Sequence, residues 1–158
     1  LSHVRSVGIG FLGSYTTADF GPGPSPGSIP SGSHYPRQAT TVEMWANWYD
    51  ASGPSAAAVN VEGVCSTMTL ERGDAANGAW MAEVTGAGSG CHRYYFEFQD
   101  SVGSVVTYPT TGSLAIGPST GCPDWDASRP VSCLVAGPEI FSDDFETGTT
   151  GLWSTTVP

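Results

Sequence analysis

A chain of 158 residues with 15 carboxylates, five arginines and no lysine carries a net charge of −10. That balance disfavours nucleic acid and anionic membranes as partners, because both need cationic patches. The 21 glycines and 12 prolines argue against long helices, and no run approaches the roughly 18 apolar residues of a membrane span.

Leu1 stands where a nascent chain would begin with Met, with no cationic-plus-apolar leader before it, which predicts a mature, secreted protein. Cys65, Cys91, Cys122 and Cys133 are even in number and lack a Cys-x-x-Cys pair. They fit two disulfides in an oxidising, extracellular setting.

In residues 1–13, Val7, Ile9 and Phe11 alternate with Ser6, Gly8 and Gly10. The pattern predicts a strand-like arm with bulk on one edge, able to lie flat against another backbone. Gly8-Ile9-Gly10 lacks the strand-turn-helix context of a phosphate loop. Residues 20–38 alternate Pro and Gly and are expected to run as a polyproline-like linker, since Pro lacks a ladder donor and Gly costs entropy. Residues 1–38 are thus read as arm plus linker.

The core is expected over residues 39–117. In Thr41–Tyr49, Val42, Met44, Ala46 and Trp48 fall on one parity, and Glu43, Trp45 and Asn47 on the other. Further strands are predicted at 57–61, at 64–70 (Val64, Met68 and Leu70 inward), at 80–84, at 92–99, at 105–108 and at 113–116. The stretch from Cys91 to Asp100 is the clearest. Tyr94, Phe96 and Phe98 alternate with Arg93, Glu97 and Gln99, and Asp100–Gly103 supplies turn chemistry before Val105. Seven short strands near ten-residue spacing describe an all-β, two-sheet sandwich. Its core should include Met44, Trp48, Met68, Trp80, Tyr94, Phe96 and Phe98, with Trp45 and Glu97 on the opposite faces.

The order of Val59–Gly63, Met68–Leu70, Asn77–Trp80, Tyr94–Phe98, Asp100-Ser101 and Tyr108-Pro109 resembles the early-set immunoglobulin-like domains. Such domains often sit beside bacterial starch- and glycogen-acting enzymes and include glycan-binding members. The resemblance covers about half the chain and implies an immunoglobulin-like sandwich. In that layout the strand ending near Gly63 runs antiparallel to the one starting at Cys91. It therefore implies a Cys65–Cys91 bridge and leaves Cys122–Cys133 to staple a surface loop. A Cys/His metal site using His92 lacks the close ligand pairs that zinc prefers.

Residues 118–158 read as a second extension. Asp143–Ser154 is similar to acidic-aromatic segments at the ends of secreted bacterial proteins. Asp143, Asp144 and Glu146 are clustered carboxylates of the kind Ca²⁺ takes, and the preferred reading is a solvated acidic turn between Phe145 and Trp153.

No Gly-x-Ser-x-Gly or His-Glu-x-x-His motif occurs, and His3, His34 and His92 fall in the arm, the linker and a core-edge strand. Glu43 and Glu97 form a candidate carboxylate pair, with Arg93 an equally good partner for either. The expectation is a protein that is not an enzyme and uses no cofactor or metal. Two functions remain, of which the first is the preferred reading and the second the alternative. One is a structural subunit of an extracellular filament or surface assembly, self-associating through Val7, Ile9 and Phe11 packed on a neighbouring copy; the same arms would otherwise fold back on their own sandwich. The other is a polysaccharide-binding module stacking sugar rings on Trp45, Tyr49 and Tyr95. Ser/Thr-rich segments are open to O-glycans, and no Asn-x-Ser/Thr sequon exists.

Overall fold

The computed structural model describes residues 24–118, 122–125 and 129–135, together with the strands Ser6–Leu12 and Tyr15–Gly21. The chain folds as a two-sheet antiparallel sandwich, with no helix among the described residues. In order, the strands are β1 (Ser6–Leu12), β2 (Tyr15–Gly21), β3 (Gly32–Tyr35), β4 (Thr41–Tyr49), β5 (Ala56–Val61), β6 (Val64–Thr67), β7 (Thr69–Gly73), β8 (Asn77–Thr85), β9 (His92–Gln99), β10 (Val105–Tyr108) and β11 (Leu114–Ile116). One sheet runs β3-β4-β8-β7. The other runs β10-β9-β5-β6, with β11 on the same edge of β9 as β10. β1 and β2 pair as a separate hairpin.

The two best-patterned strands, β4 and β9, supply the facing aromatic core. Val42, Met44, Trp48, Phe96 and Phe98 are wholly buried, and Tyr94 nearly so. The Trp48 and Phe98 rings stack at 5.6 Å, and Trp80 meets Phe98 edge-on at 6.0 Å. Such pairs add about 1 kcal/mol beyond their area burial. Trp80 is only partly buried, packed at the margin of this cluster.

Three expectations need correction. Residues 20–38 are not all coil. Ser28 bridges Tyr49, Ile29 is 6% exposed within the core, and β3 pairs with Glu43–Ala46. Gly32 is what lets β3 lie this close, because a Cβ there would sit 2.5 Å from the Phe96 ring.

Second, residues 64–70 are two strands rather than one. β6 pairs with β5, the chain crosses between sheets at Met68, and β7 pairs with β8. Met68 is 3% exposed at the crossing, while Val64 and Leu70 are 69% and 37% exposed. A period-two pattern does not survive a change of sheet. The second of these strands also runs on through Glu71–Gly73, past the predicted end at Leu70, with an irregularity between Leu70 and Arg72.

Third, the disulfides are Cys65–Cys133 and Cys91–Cys122, each with Cα atoms 5.7 Å apart. The antiparallel run of β5 against β9 is as expected. However, Glu62 (φ 52°) and Gly63 (φ 91°) form a tight two-residue turn that puts Cys65 on β6, the far side of β5. Two strand spacings, about 9.5 Å, then separate it from β9, beyond the roughly 7 Å limit for a disulfide.

Candidate functional site

The two sheets turn their outer faces to opposite sides of the sandwich, and those faces differ. On the four-stranded sheet, Trp45 faces outward between Ser33 on β3 and Met81 on β8. Its indole Nε1–H donates to Glu43 Oε2 at 2.9 Å, two residues back on the same side, which fixes the ring's orientation. Tyr49 shares this parity four residues along β4 and is partly exposed. Tyr35 is 71% exposed at the edge, opposite Glu43 and diagonal to Trp45. Diagonal neighbours lie about 7–8 Å apart, within reach of large side chains. Ser33, Asn47, Ala79 and Glu83 complete a face of aromatic, small and acidic groups. Tyr35 falls in the segment whose Pro and Gly content predicts a linker, so the sequence pattern does not single it out.

On the five-stranded sheet the outer face is covered. Residues 122–125 and 129–135 form a strap across β9, β5 and β6, bonded by Cys91–Cys122 at one end and Cys65–Cys133 at the other. Arg129 anchors it. Its guanidinium donates to Gly112 O (2.8 Å), Thr107 Oγ1 (3.1 Å) and Pro109 O (2.7 Å), and lies 5.0 Å from the centre of the Tyr95 ring. Beyond Arg129 the sheet holds the strap largely by its backbone. Tyr95 Oη donates to Pro130 O (3.0 Å), Asn60 Nδ2 donates to Val131 O (3.0 Å), and Cys133 N–H donates to Glu97 Oε1 (3.1 Å). Ser132 Oγ donates to the other Glu97 oxygen. Asn60 and Glu97 are wholly buried and Tyr95 is 2% exposed. Burial, reinforced by the neighbouring Glu97 carboxylate, pushes the Tyr95 phenol above its ordinary range.

These positions divide the predicted site residues. Trp45 and Tyr49 share an exposed face, whereas Tyr95 lies on the opposite sheet under Trp125 and Arg129 and has no ring face open to a sugar. Glu43 and Glu97 are likewise on opposite sides of the sandwich and make no pair. Arg93 instead donates to Cys122 O and lies 3.8 Å from Asp124. Val7, Ile9 and Phe11 belong to β1, in register with Phe20, Ala18 and Thr16 of β2. Their side chains, His3, and Asp143, Asp144 and Glu146 of the tail lie outside the described residues.

Two histidines are tied into the framework. A His34 protonated on Nε2 donates to Arg37 O (3.0 Å) and accepts from Tyr94 Oη (2.8 Å) at Nδ1. His92 faces two acceptors, Glu62 Oε2 at 2.9 Å and Ser89 O at 2.8 Å, so both nitrogens are satisfied only in the imidazolium. The Glu62 hydrogen bond, then that to Ser89, raises its pKa above the ordinary histidine value against a smaller opposing effect of burial. His92 lines a cleft of about 250 Å³ with Val61, Glu62, Val64, Val84 and Ala87.

Among the described residues no group of three or more His, Cys, Asp or Glu gathers as a metal site, and no helix is long and apolar enough to cross a membrane. The chain matches no protein-family profile, no curated protein and no solved structure.

Proposed function

We propose that this chain is a non-enzymatic, secreted module of immunoglobulin-like type that holds polysaccharide on the outer face of its four-stranded sheet. The observation that carries the reading is the alignment of Tyr35, Trp45 and Tyr49 on one exposed face, with Trp45 held in place by Glu43. Aromatic ring faces stack on the C–H faces of sugars, and Glu43, Asn47 and Glu83 are positioned to accept or donate hydrogen bonds to hydroxyls around them. A net charge of −10 favours neutral or amino-sugar chains over sulfated or uronic ones. Two disulfides suit the oxidising setting in which such a module would work.

The second reading is a structural subunit that self-assembles through its N-terminal arm. One observation favours assembly. The β1–β2 hairpin is a two-stranded sheet of its own, and such hairpins are marginal in water without a surface to pack on.

Affinity electrophoresis through gels containing starch, glycogen, soluble cellulose or chitosan derivatives tests the proposal. At least one gel should retard the protein. Trp45→Ala should abolish that retardation while leaving thermal unfolding within about 0.5 kcal/mol, and Tyr95→Phe should not affect binding. Unretarded migration in every gel, or retardation insensitive to Trp45→Ala, overturns the reading. Fibres on electron-microscope grids, lost in Ile9→Asp, would put assembly ahead.

A further inference from the structure

We propose that the strapped groove on the five-stranded sheet is a receptor for residues 129–133 of a second copy of this chain, and that copies exchange straps through the Cys65–Cys133 disulfide to become covalently linked. The groove has the features of a peptide-binding site that is already filled. Asn60, Tyr95 and Glu97 are buried polar side chains on three sheet positions, and each is committed to a backbone group of a short extended segment. Arg129 fixes the register by donating to Gly112, Pro109 and Thr107. An identical strap from another copy would make identical contacts. The cis and trans states therefore differ mainly in effective concentration, which is what makes exchange of an element a low-cost route to dimers.

The two disulfides are not equally open to such exchange. Cys65 is an exposed residue on the edge strand β6, whereas Cys122 is 9% exposed and held beside the Arg93–Asp124 contact. A small thiolate should therefore reach Cys65–Cys133 first. It forms a mixed disulfide at Cys65 and releases the Cys133 thiolate. The Cys133 thiolate of a second copy then attacks that mixed disulfide, closes Cys65–Cys133 between chains and expels the small thiolate unchanged. Disulfides are conserved, so a catalytic thiol such as glutathione suffices and no net oxidant is consumed. Cys91–Cys122 meanwhile keeps the base of the strap tethered. The extended chain from Cys122 to Arg129 reaches at most ~25 Å, which sets how near the second copy must lie.

The test mixes ¹⁵N-labelled and unlabelled full-length protein with a trace of reduced glutathione under native conditions, then quenches with acid and maps disulfide peptides by mass spectrometry. Crossed heavy–light Cys65–Cys133 peptides should appear and increase with protein concentration, while Cys91–Cys122 peptides stay isotopically pure. In the purified linked species, the Cys133 amide should keep the slow hydrogen exchange it has in the monomer, because it still donates to a Glu97. Isotopically pure Cys65–Cys133 peptides at every concentration overturn the proposal. So do crossed peptides spread over both disulfides and non-native pairs, which report unfolding, and so does a linked species whose Cys133 amide exchanges freely.

Discussion

Trp45 and Tyr95 occupy equivalent places in their strands, each an outward aromatic between inward core residues, yet one is partly exposed and the other buried. The difference is made by a strap that begins at Cys122, well after β9 ends at Gln99, and crosses only one sheet. Once covered, an outer face must satisfy every polar group it carries, since an unpaired buried group costs about 1–3 kcal/mol. The five-stranded sheet meets most of that demand with Asn60, Tyr95 and Glu97, leaving Arg93 Nε buried without a partner among the described residues. The four-stranded sheet faces no such demand, and Trp45 stays partly exposed on it.

The most severe way to break this contrast is to cut the strap loose. Replacing Cys65 and Cys133 together by Ala opens a crosslink spanning 68 residues. On the chain-entropy account this should cost about 4 kcal/mol, read as a lower denaturant midpoint. Hydrogen exchange at position 133 and its neighbours should accelerate more than in β4 and β8, which lose only the protection that the fall in global stability removes. Uniform acceleration across both sheets would mean the strap is integral to the fold rather than a cover.

A matched pair of carboxylates sharpens the contrast. Glu97→Ala leaves the Cys133 N–H and Ser132 hydroxyl without their charged acceptor beneath the strap, at a cost of about 3 kcal/mol. Glu43→Ala on the open face removes a single hydrogen bond to Trp45 and should cost about 0.5 kcal/mol. Chemical denaturation of the two variants decides it. Equal losses would show that the faces are energetically alike after all.

How much of this was legible in the sequence follows from which interactions are local. The alternation in Thr41–Tyr49 and Tyr94–Phe98 gave the inner faces directly, and burial matches it residue by residue in β4. A buried outer face leaves a weaker signal. β5, Ala56–Val61, is buried at all but its first position, and its unbroken Ala57-Ala58-Val59 run is what a strand covered on both sides looks like. That signal was present but not decisive. The disulfide pairing was out of reach because it depends on which side of β5 the chain returns, a property of one two-residue turn. β3 was hidden by composition, since Pro and Gly suppress local strand propensity even where close approach to Phe96 needs a glycine. Of the aromatics on the candidate open face, the sequence reading singles out Trp45 and Tyr49 but not Tyr35, for the same reason as β3.

The smallest expected effects are electrostatic, and they separate the strap from the rest by sign. Asp124, on the strap, is held below the usual carboxylate range mainly by the Ser113 hydroxyl, with the Trp125 N–H and Arg93 adding to it against some desolvation. A lowered folded pKa means its contribution is present above the unfolded value and is lost as pH falls through the folded one. His92, whose ring bonds Glu62 and Ser89 rather than the strap, has a raised pKa. Its contribution is therefore complete below about 6.5 and is lost as pH rises through the folded value. With side chains 25% and 48% exposed, the His92–Glu62 pair should add about 0.5 kcal/mol at low salt and less at high salt. His92→Ala should then lower stability near pH 5 and be nearly silent near pH 9, whereas Asp124→Asn should weaken the strap at neutral pH and make little difference in strong acid. Unfolding curves across that range, at two salt concentrations, supply the check. If His92→Ala destabilises equally at both ends, the histidine acts through packing along the Val61–Val84 cleft rather than through its charge.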